Sequence, residues 1–461
     1  MDSTDASCGT TRTTITDAIA DAATAGVAGR IYVESATFNE VVTISNFNVN
    51  LTLMGGWDLL TNTKVGTSTI NGAVNVTNSA GVITFENLIF SNPITVSNTP
   101  NVVINGTTTA GTIQVTLSGT NNGVTINRGS AGDNVSVTGG SGSDTVAVNG
   151  GATSGSNTVT VSGGGASDSV TVSGSVDLGG GSLTVDAESI TVSSGATITA
   201  AQVNLTAVAQ DSLAVTDVSQ LAVMTATVTI GGVITTTGDI TLQSKVIRNV
   251  NILSSSDLLL DSSSSAIVEV GSGAQLSGGI LTILARTEGA VMSDAGSASA
   301  TNQFNDDAIA YINDATVNVG TLNLSAQSAT SYSAKGRSVA NIISGDTLAY
   351  INDGTITAGS GGVTISARDT SSFIAESPQE EIDLSLLSGP LALSLALARN
   401  EIDKHVGAYI TSSQVTTTNG NVSVTAESNT QANATTRTTS VSASLPPPFP
   451  NTLSLTGTFA A

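Results

Sequence analysis

Apolar residues in this chain recur mostly at every second position, in short runs separated by Gly, Asn, Ser and Asp. Such alternation puts successive side chains on opposite faces of a strand, so it predicts β-structure over most of the length. Ile31-Tyr32-Val33, Val41-Val42-Thr43-Ile44 and Leu51-Thr52-Leu53-Met54 are the first cases. One segment ahead of them differs. From Thr14 to Ala23 the residues Ile15, Ala18, Ile19 and Ala22 keep helical spacing, and Thr14 or Thr16 is placed to cap the start. A short amphipathic helix before stacked strands covers the open end of a solenoid, where backbone and apolar groups have no neighbouring turn.

From about residue 110 to 205 the strands are very short: Val124-Thr125-Ile126, Val135-Ser136-Val137, Val146-Ala147-Val148, Val159-Thr160-Val161 and Val170-Thr171-Val172. Their starts follow one another at nearly even intervals, with only the step from Val146 to Val159 slightly longer. Two such intervals together span about 22 to 24 residues, the size of one full solenoid turn. Further on, the stretch Ala310-Tyr311-Ile312-Asn313-Asp314 returns as Ala349-Tyr350-Ile351-Asn352-Asp353, and more loosely as Ala408-Tyr409-Ile410-Thr411-Ser412. Each copy precedes a strand ending in Ala: Leu322 to Ala326, Val363 to Ala367, and Val422 to Ala426. The step from Tyr350 to Tyr409 is longer than that from Tyr311 to Tyr350, so the second interval is expected to hold one extra turn. Leu393 to Ala398 is echoed from Leu453 onward, close to Ala461. The sequence therefore reads as cut from a longer array, or as one whose last strand pairs with another copy.

Two resemblances follow from these residues. The run from Gly29 to Ile44, then Leu51-Thr52-Leu53-Met54-Gly55-Gly56 and Gly81 to Asn92, resembles the turns of pectate-lyase-like parallel β-helix proteins over the first hundred residues. The Ala-Tyr-Ile stretches with their Val-x-Val-x-Ala strands, over about residues 260 to 461, resemble the repeats of giant bacterial surface proteins of the filamentous-haemagglutinin-like kind. The first implies a fold and little about activity. The second implies an adhesive or scaffold role without naming a ligand.

Composition agrees with a narrow solenoid. Aromatics make up 3% of the 461 residues and Gly accounts for 48, which suits thin strips of small β-branched side chains better than a bulky globular core. Hydrophobic residues at 39% argue against disorder. A net charge of −22 excludes nucleic acid and anionic membrane as natural partners, because both would repel this surface. No run is long and apolar enough for a membrane span, and Met1-Asp2-Ser3-Thr4 does not begin a signal peptide. With Cys8 alone there is no internal disulfide. Between Arg128 and Lys245 there is no Lys or Arg, while Asp133, Asp144, Asp168, Asp177, Asp186, Glu188, Asp211, Asp217 and Asp239 all occur. Such a segment gains from a cation.

The sharpest motif lies there. Gly139-Gly140-Ser141-Gly142-Ser143-Asp144-Thr145-Val146-Ala147 fits the nonapeptide G-G-x-G-x-D-x-U-x, in which turn carbonyls and an Asp carboxylate bind calcium between stacked turns. A near copy runs from Gly163 through Asp168 to Thr171, and Asp133 and Asn157 precede Val135 and Val159 in the same manner. Gly140, Gly142, Asp144, Asp168 and Asp133 are thus the candidate calcium ligands. The intervals between these strands are longer than those of a true nonapeptide array, and Gly, Ser and Asp also make plain turns, which is the preferred reading.

Catalysis is expected to be absent. Glu34, Glu40, Asp58 and Glu86 have only Arg30 and Lys64 near them in sequence, and Glu40 reads as an exposed turn residue. His405 is the only histidine, read as part of a surface loop between Asn400 and Tyr409, so no histidine triad is available. Tyr311, Tyr350 and Tyr409 read as residues packing over neighbouring turns rather than as a glycan platform. Cys8 reads equally as a tether or a chance thiol, and Pro446-Pro447-Pro448-Phe449-Pro450 as a loop between turns.

The expectation is an all-β, right-handed, single-stranded parallel β-helix with a short N-terminal capping helix. Its parts are a cap at 1–26, pectate-lyase-like turns at 27–110, a Gly/Ser/Asp-rich solenoid at 111–250 and adhesin-type repeats at 251–461. With turns of about 24 residues it would have about 18 to 20 of them and a length of roughly 90 Å. The expected role is extracellular: a structural or adhesive rod of a bacterial surface protein, meeting host or neighbouring-cell surfaces or glycans. Its alternatives are a self-assembling filament subunit, a polysaccharide-active enzyme and, more remotely, an ice-binding solenoid.

Overall fold

The computed structural model describes residues 11–107, 111–129, 133–151, 157–164, 167–213, 221, 223–377, 397–436, 441–444 and 452–455. It is a parallel β-helix. A first sheet stacks thirteen parallel strands, from Gly29–Glu34 to Leu397–Thr411, and Thr63–Lys64 pairs antiparallel at its margin as the fourteenth. A second long sheet faces it, beginning with Val42–Ser45 and Val74–Thr77. A short third sheet of Thr37–Phe38, Ser68–Ile70 and Leu88–Phe90 closes the first turns. No helix among the described residues is long and apolar enough to cross a membrane.

Parity explains why these sequences stack. Val102, Val124, Val146, Val170, Ile190, Val228, Val268, Ala310 and Ala349 occupy one inward column, each opposite the next in parallel register. All nine are at most 2% exposed. Each turn therefore buries its apolar strip against the turns on either side, which supplies the hydrophobic term. The short strands alternate between the two long sheets, as their spacing predicts: Val124 and Val146 lie in the first, Val135 and Val159 in the second.

The start of the stack is covered by the helix α1, Ile15–Ala25. Thr14 is the cap, its Oγ1 accepting the Asp17 N–H at 3.0 Å, and Gly26 ends the helix in the left-handed conformation. Ile15, Ile19 and Ala22 are buried over strands Gly29–Glu34 and Val42–Ser45. Glu40 is not the exposed turn residue that its sequence context suggests. It is half-buried, and its carboxylate accepts the N–H groups of Ile15 and Thr16 at 2.8 and 3.1 Å, where the helix N-terminus favours negative charge.

Turn size is not constant. Equivalent positions are 22 residues apart at Asn122 and Asp144, 24 at Asn134 and Thr158, 41 at Asp239 and Ile280, and 59 at Asn341 and Asn400. The expectation of about 18 to 20 equal turns is therefore corrected, among the described residues, to the thirteen parallel strands of the first sheet. At the ~4.8 Å spacing of a sheet these stack to roughly 60 Å, shorter than roughly 90 Å because later turns spend more chain on width. The tyrosine spacing is corrected in the same way. Tyr350 stands directly opposite Tyr409, so the longer interval lies within one turn and no extra turn intervenes.

In the wide turns the strands reach 20 residues, as in Gln275–Asp294. The interior there divides in two. The main apolar core continues, and a second one forms from residues that include Val250, Leu260, Val291, Phe304, Tyr332, Val339 and Phe373. Between them runs a buried polar seam containing Ser244, Arg248, Thr287, Asp306, Ser328, Asp369 and Ser371, none more than 1% exposed.

Candidate functional site

The expected calcium residues fall in two different corners of the stack. Asp133 precedes the second-sheet strand Asn134–Thr138, whereas Asp144 and Asp168 precede the first-sheet strands Thr145–Asn149 and Ser169–Ser173. Asp133 accepts the N–H of Gly111 on Oδ1 at 3.0 Å and that of Gly129 on Oδ2 at 2.8 Å. Asp144 and Asp168 belong instead to a column that climbs the other corner. The side-chain oxygen of each member accepts the backbone N–H of its counterpart one turn earlier. Thr99 Oγ1 takes Ser79 N–H at 3.3 Å, Asn122 Oδ1 takes Thr99 at 3.2 Å, and Asp144 Oδ1 takes Asn122 at 3.2 Å. Asp168 Oδ1 then takes Asp144 N–H and Glu188 Oε2 takes Asp168 N–H, both at 2.7 Å.

These bonds satisfy turn N–H groups that the strand ladders leave over. They also give the Gly and Asp residues of these corners a part in holding the turns together. Asp144 Oδ2 holds the Gly140 N–H at 3.1 Å, and a Cβ at Gly142 would lie 2.3 Å from Gly119 O in the turn beneath. Among the described residues, no three His, Cys, Asp or Glu side chains gather as a metal site.

The column changes character as it rises, from hydroxyl and amide at Ser79, Thr99 and Asn122 to carboxyl at Asp144, Asp168 and Glu188. Asp168 is 2% exposed and its Oδ2 has no hydrogen-bond partner among the described residues. Burial, reinforced by the charges of Glu188 and Asp144, raises its pKa from 3.8 to about 7. Burial raises Glu188 and Asp186 as well. The folded state therefore keeps a proton that the unfolded chain releases near 3.8. This contribution to stability is full below that value and is lost as pH rises to about 7. Thermal melts are expected to fall by a few degrees between about pH 5 and about pH 8. Asp168→Asn, which copies Asn122 in the same column, is expected to remove most of that slope and to melt higher at the upper pH. An unchanged slope in the variant rejects this assignment. Repeating the melts with calcium separates the two readings of the corner, since a bound ion would raise the upper-pH transition of the parent and not of the variant.

The tyrosines form a continuous stack on the outer face of the first sheet. Tyr311 and Tyr350 have ring centroids 5.2 Å apart at 5°, and Tyr350 and Tyr409 4.9 Å apart at 6°. Both faces of Tyr350 are covered by its neighbours, so the middle ring of this ladder offers edges rather than a platform to a sugar. His405 lies on the strand Leu397–Thr411 rather than in a loop, corrected by its pairing opposite Asp346, and its Nδ1 is 3.2 Å from Asp346 Oδ1. Lys64 meets Glu86 at 3.8 Å on the surface. Cys8 and Pro446 to Pro450 lie outside the described residues.

The feature that motif reading missed is the seam. Arg248 donates from Nη2 to Ser263 O at 2.7 Å, and its guanidinium carbon lies 5.3 Å from the centre of the Phe304 ring. The Tyr332 hydroxyl donates to Asp306. Further along, Lys404 Nζ sits 3.5 Å from Asp369 Oδ2, with side-chain exposures of 3% and 0%. Thr287, Ser328 and Ser371 connect these turns by hydroxyl bonds of 3.3 and 3.1 Å. Compared with protein-family models, with curated proteins and with solved structures, the chain matches none, and what can be concluded rests on its parallel β-helix fold.

Proposed function

We propose that this chain is an extracellular structural and adhesive segment of a large bacterial surface protein, a rigid rod that holds a binding region away from the cell or meets a neighbouring surface itself. The observation that carries this reading is the unbroken inward column from Val102 to Ala349, continued from a helix-capped end. A chain that fills every turn with small apolar side chains spends its sequence on stiffness and reach. The paired outer columns, such as the tyrosine stack, add rigidity between turns. The net charge of −22 keeps such rods apart from one another and from anionic polymers. Catalysis forms no part of the proposal. A second reading, a filament subunit, is favoured by Val422 and Val424, which continue inward columns yet are 48% and 43% exposed.

Beads coated with the purified chain are expected to adhere to cells above beads carrying an unrelated acidic protein, and negative-stain images to show single rods of roughly 60 Å. Long end-to-end fibres without adhesion would favour the filament subunit. New reducing ends released from a polysaccharide would overturn the non-catalytic reading.

A further inference from the structure

We propose that Lys404 and Asp369 are joined by an intramolecular amide bond that forms spontaneously once the wide turns have folded. The two groups come from strands on opposite sides of the seam, Leu397–Thr411 and Thr355–Asp369. Their side chains are 3% and 0% exposed, and Nζ is 3.5 Å from Oδ2. Ion pairs so deeply buried are costly to maintain, because desolvation opposes their attraction. This site is also arranged for chemistry. Asp369 Oδ1 receives two donors from Ser371, its N–H at 2.9 Å and its hydroxyl at 2.6 Å. Oδ2 has no hydrogen bond among the described residues and faces the amine. Ser328 Oγ lies 2.7 Å from Nζ, and Ser371 Oγ 3.4 Å.

The step balances without any added reagent. A proton passes from the Lys404 ammonium to Asp369 Oδ2, which leaves a neutral amine beside a neutral carboxyl. The Nζ lone pair attacks Cγ, and the charge developing on Oδ1 is held by the two Ser371 donors, as in an oxyanion site. The second Nζ proton moves to Oδ2, which faces the amine 3.5 Å away. The Cγ–Oδ2 bond then breaks and Oδ2 departs as water. One C–N bond forms, one C–O bond breaks, and no atom is oxidised or reduced. Fixed proximity replaces an encounter, and the dry interior disfavours the reverse hydrolysis. The product removes two buried charges and ties one side of the last wide turns to the other.

The test is the mass of the intact, denatured wild-type chain. The expected value is one water below the mass of the unmodified polypeptide, with a branched peptide linking Asp369 and Lys404 in a protease digest. Lys404→Arg, which keeps the cation but lacks the amine nucleophile, is expected to restore the full mass. A wild-type mass equal to the unmodified value overturns the proposal. So does a one-water deficit that maps elsewhere, for example to a cyclised Asp353-Gly354 step.

Discussion

Replacing Arg248 with alanine is expected to lower the stability of the wide half by about 3–5 kcal/mol. Arg248 is 1% exposed and is among the largest fully buried side chains of the molecule. Its aliphatic stem fills the space between the two apolar cores, its Nη2 serves Ser263 O, and its guanidinium covers Phe304. Truncation removes all three contributions and leaves a void beside polar groups that water cannot easily reach. Arg248→Met is expected to recover about half of the loss, because it restores volume over the ring without a charge to solvate. Denaturant titrations followed by circular dichroism measure both. An alanine variant within about 0.5 kcal/mol of the parent would mean that the seam is wet and adaptable rather than packed.

The second large effect is expected one turn further on. Gly289 lies opposite Arg248 in the parallel ladder, with φ of +135°, and a Cβ there would fall 1.9 Å from Arg248 O. No rotamer relieves an overlap between a Cβ and a backbone oxygen. Gly289→Ala must therefore displace one turn against the next, on top of the cost of the backbone conformation itself. We expect more than about 3 kcal/mol, enough to leave the wide half unfolded or insoluble. Gly273→Ala is the control, because φ is +77° there too but nothing lies within 4 Å of the added carbon. It is expected to cost only about 1 kcal/mol. Equal melting of the two variants would show that the turns slide freely.

The fold was legible because its rule is local. Alternation in Val124-Thr125-Ile126 or Leu322-Asn323-Leu324 names the inward residues directly, and the recurring Ala-Tyr-Ile stretches announce their own register. The helical period at Ile15, Ala18, Ile19 and Ala22 announced the cap in the same way. Turn length was less legible. A strand states which way its side chains point, but a whole turn can take up 22 or 59 residues and still bring equivalent positions into register. Hence Tyr350 and Tyr409 proved to be immediate neighbours. The corner column escaped for a related reason. Its members, from Ser79 to Glu188, differ in chemistry and share only a place.

The seam was within reach of the sequence. In Ile240, Leu242, Ser244, Val246, Arg248, Val250 and Ile252, strict parity puts the arginine inside with its neighbours. Ala398, Ile402, Lys404, Val406 and Ala408 place the lysine likewise. Motif reading looks for known spacings and passes over such residues. A charge that breaks an apolar parity is the better signal, because burying it requires a partner.

The unequal turns also divide the molecule mechanically. Strands in the middle, such as Val159–Ser162, are 4 residues long, against 20 in Gln275–Asp294. A pull along the axis loads every layer in series, yet a short layer shares that load among far fewer bonds than a long one. Strands as short occur towards the capped end, as in Val42–Ser45, Val74–Thr77 and Ile83–Glu86, so the whole slender part is the fuse of the rod. Under tension it lengthens first, dissipating work there while the broad base keeps its shape.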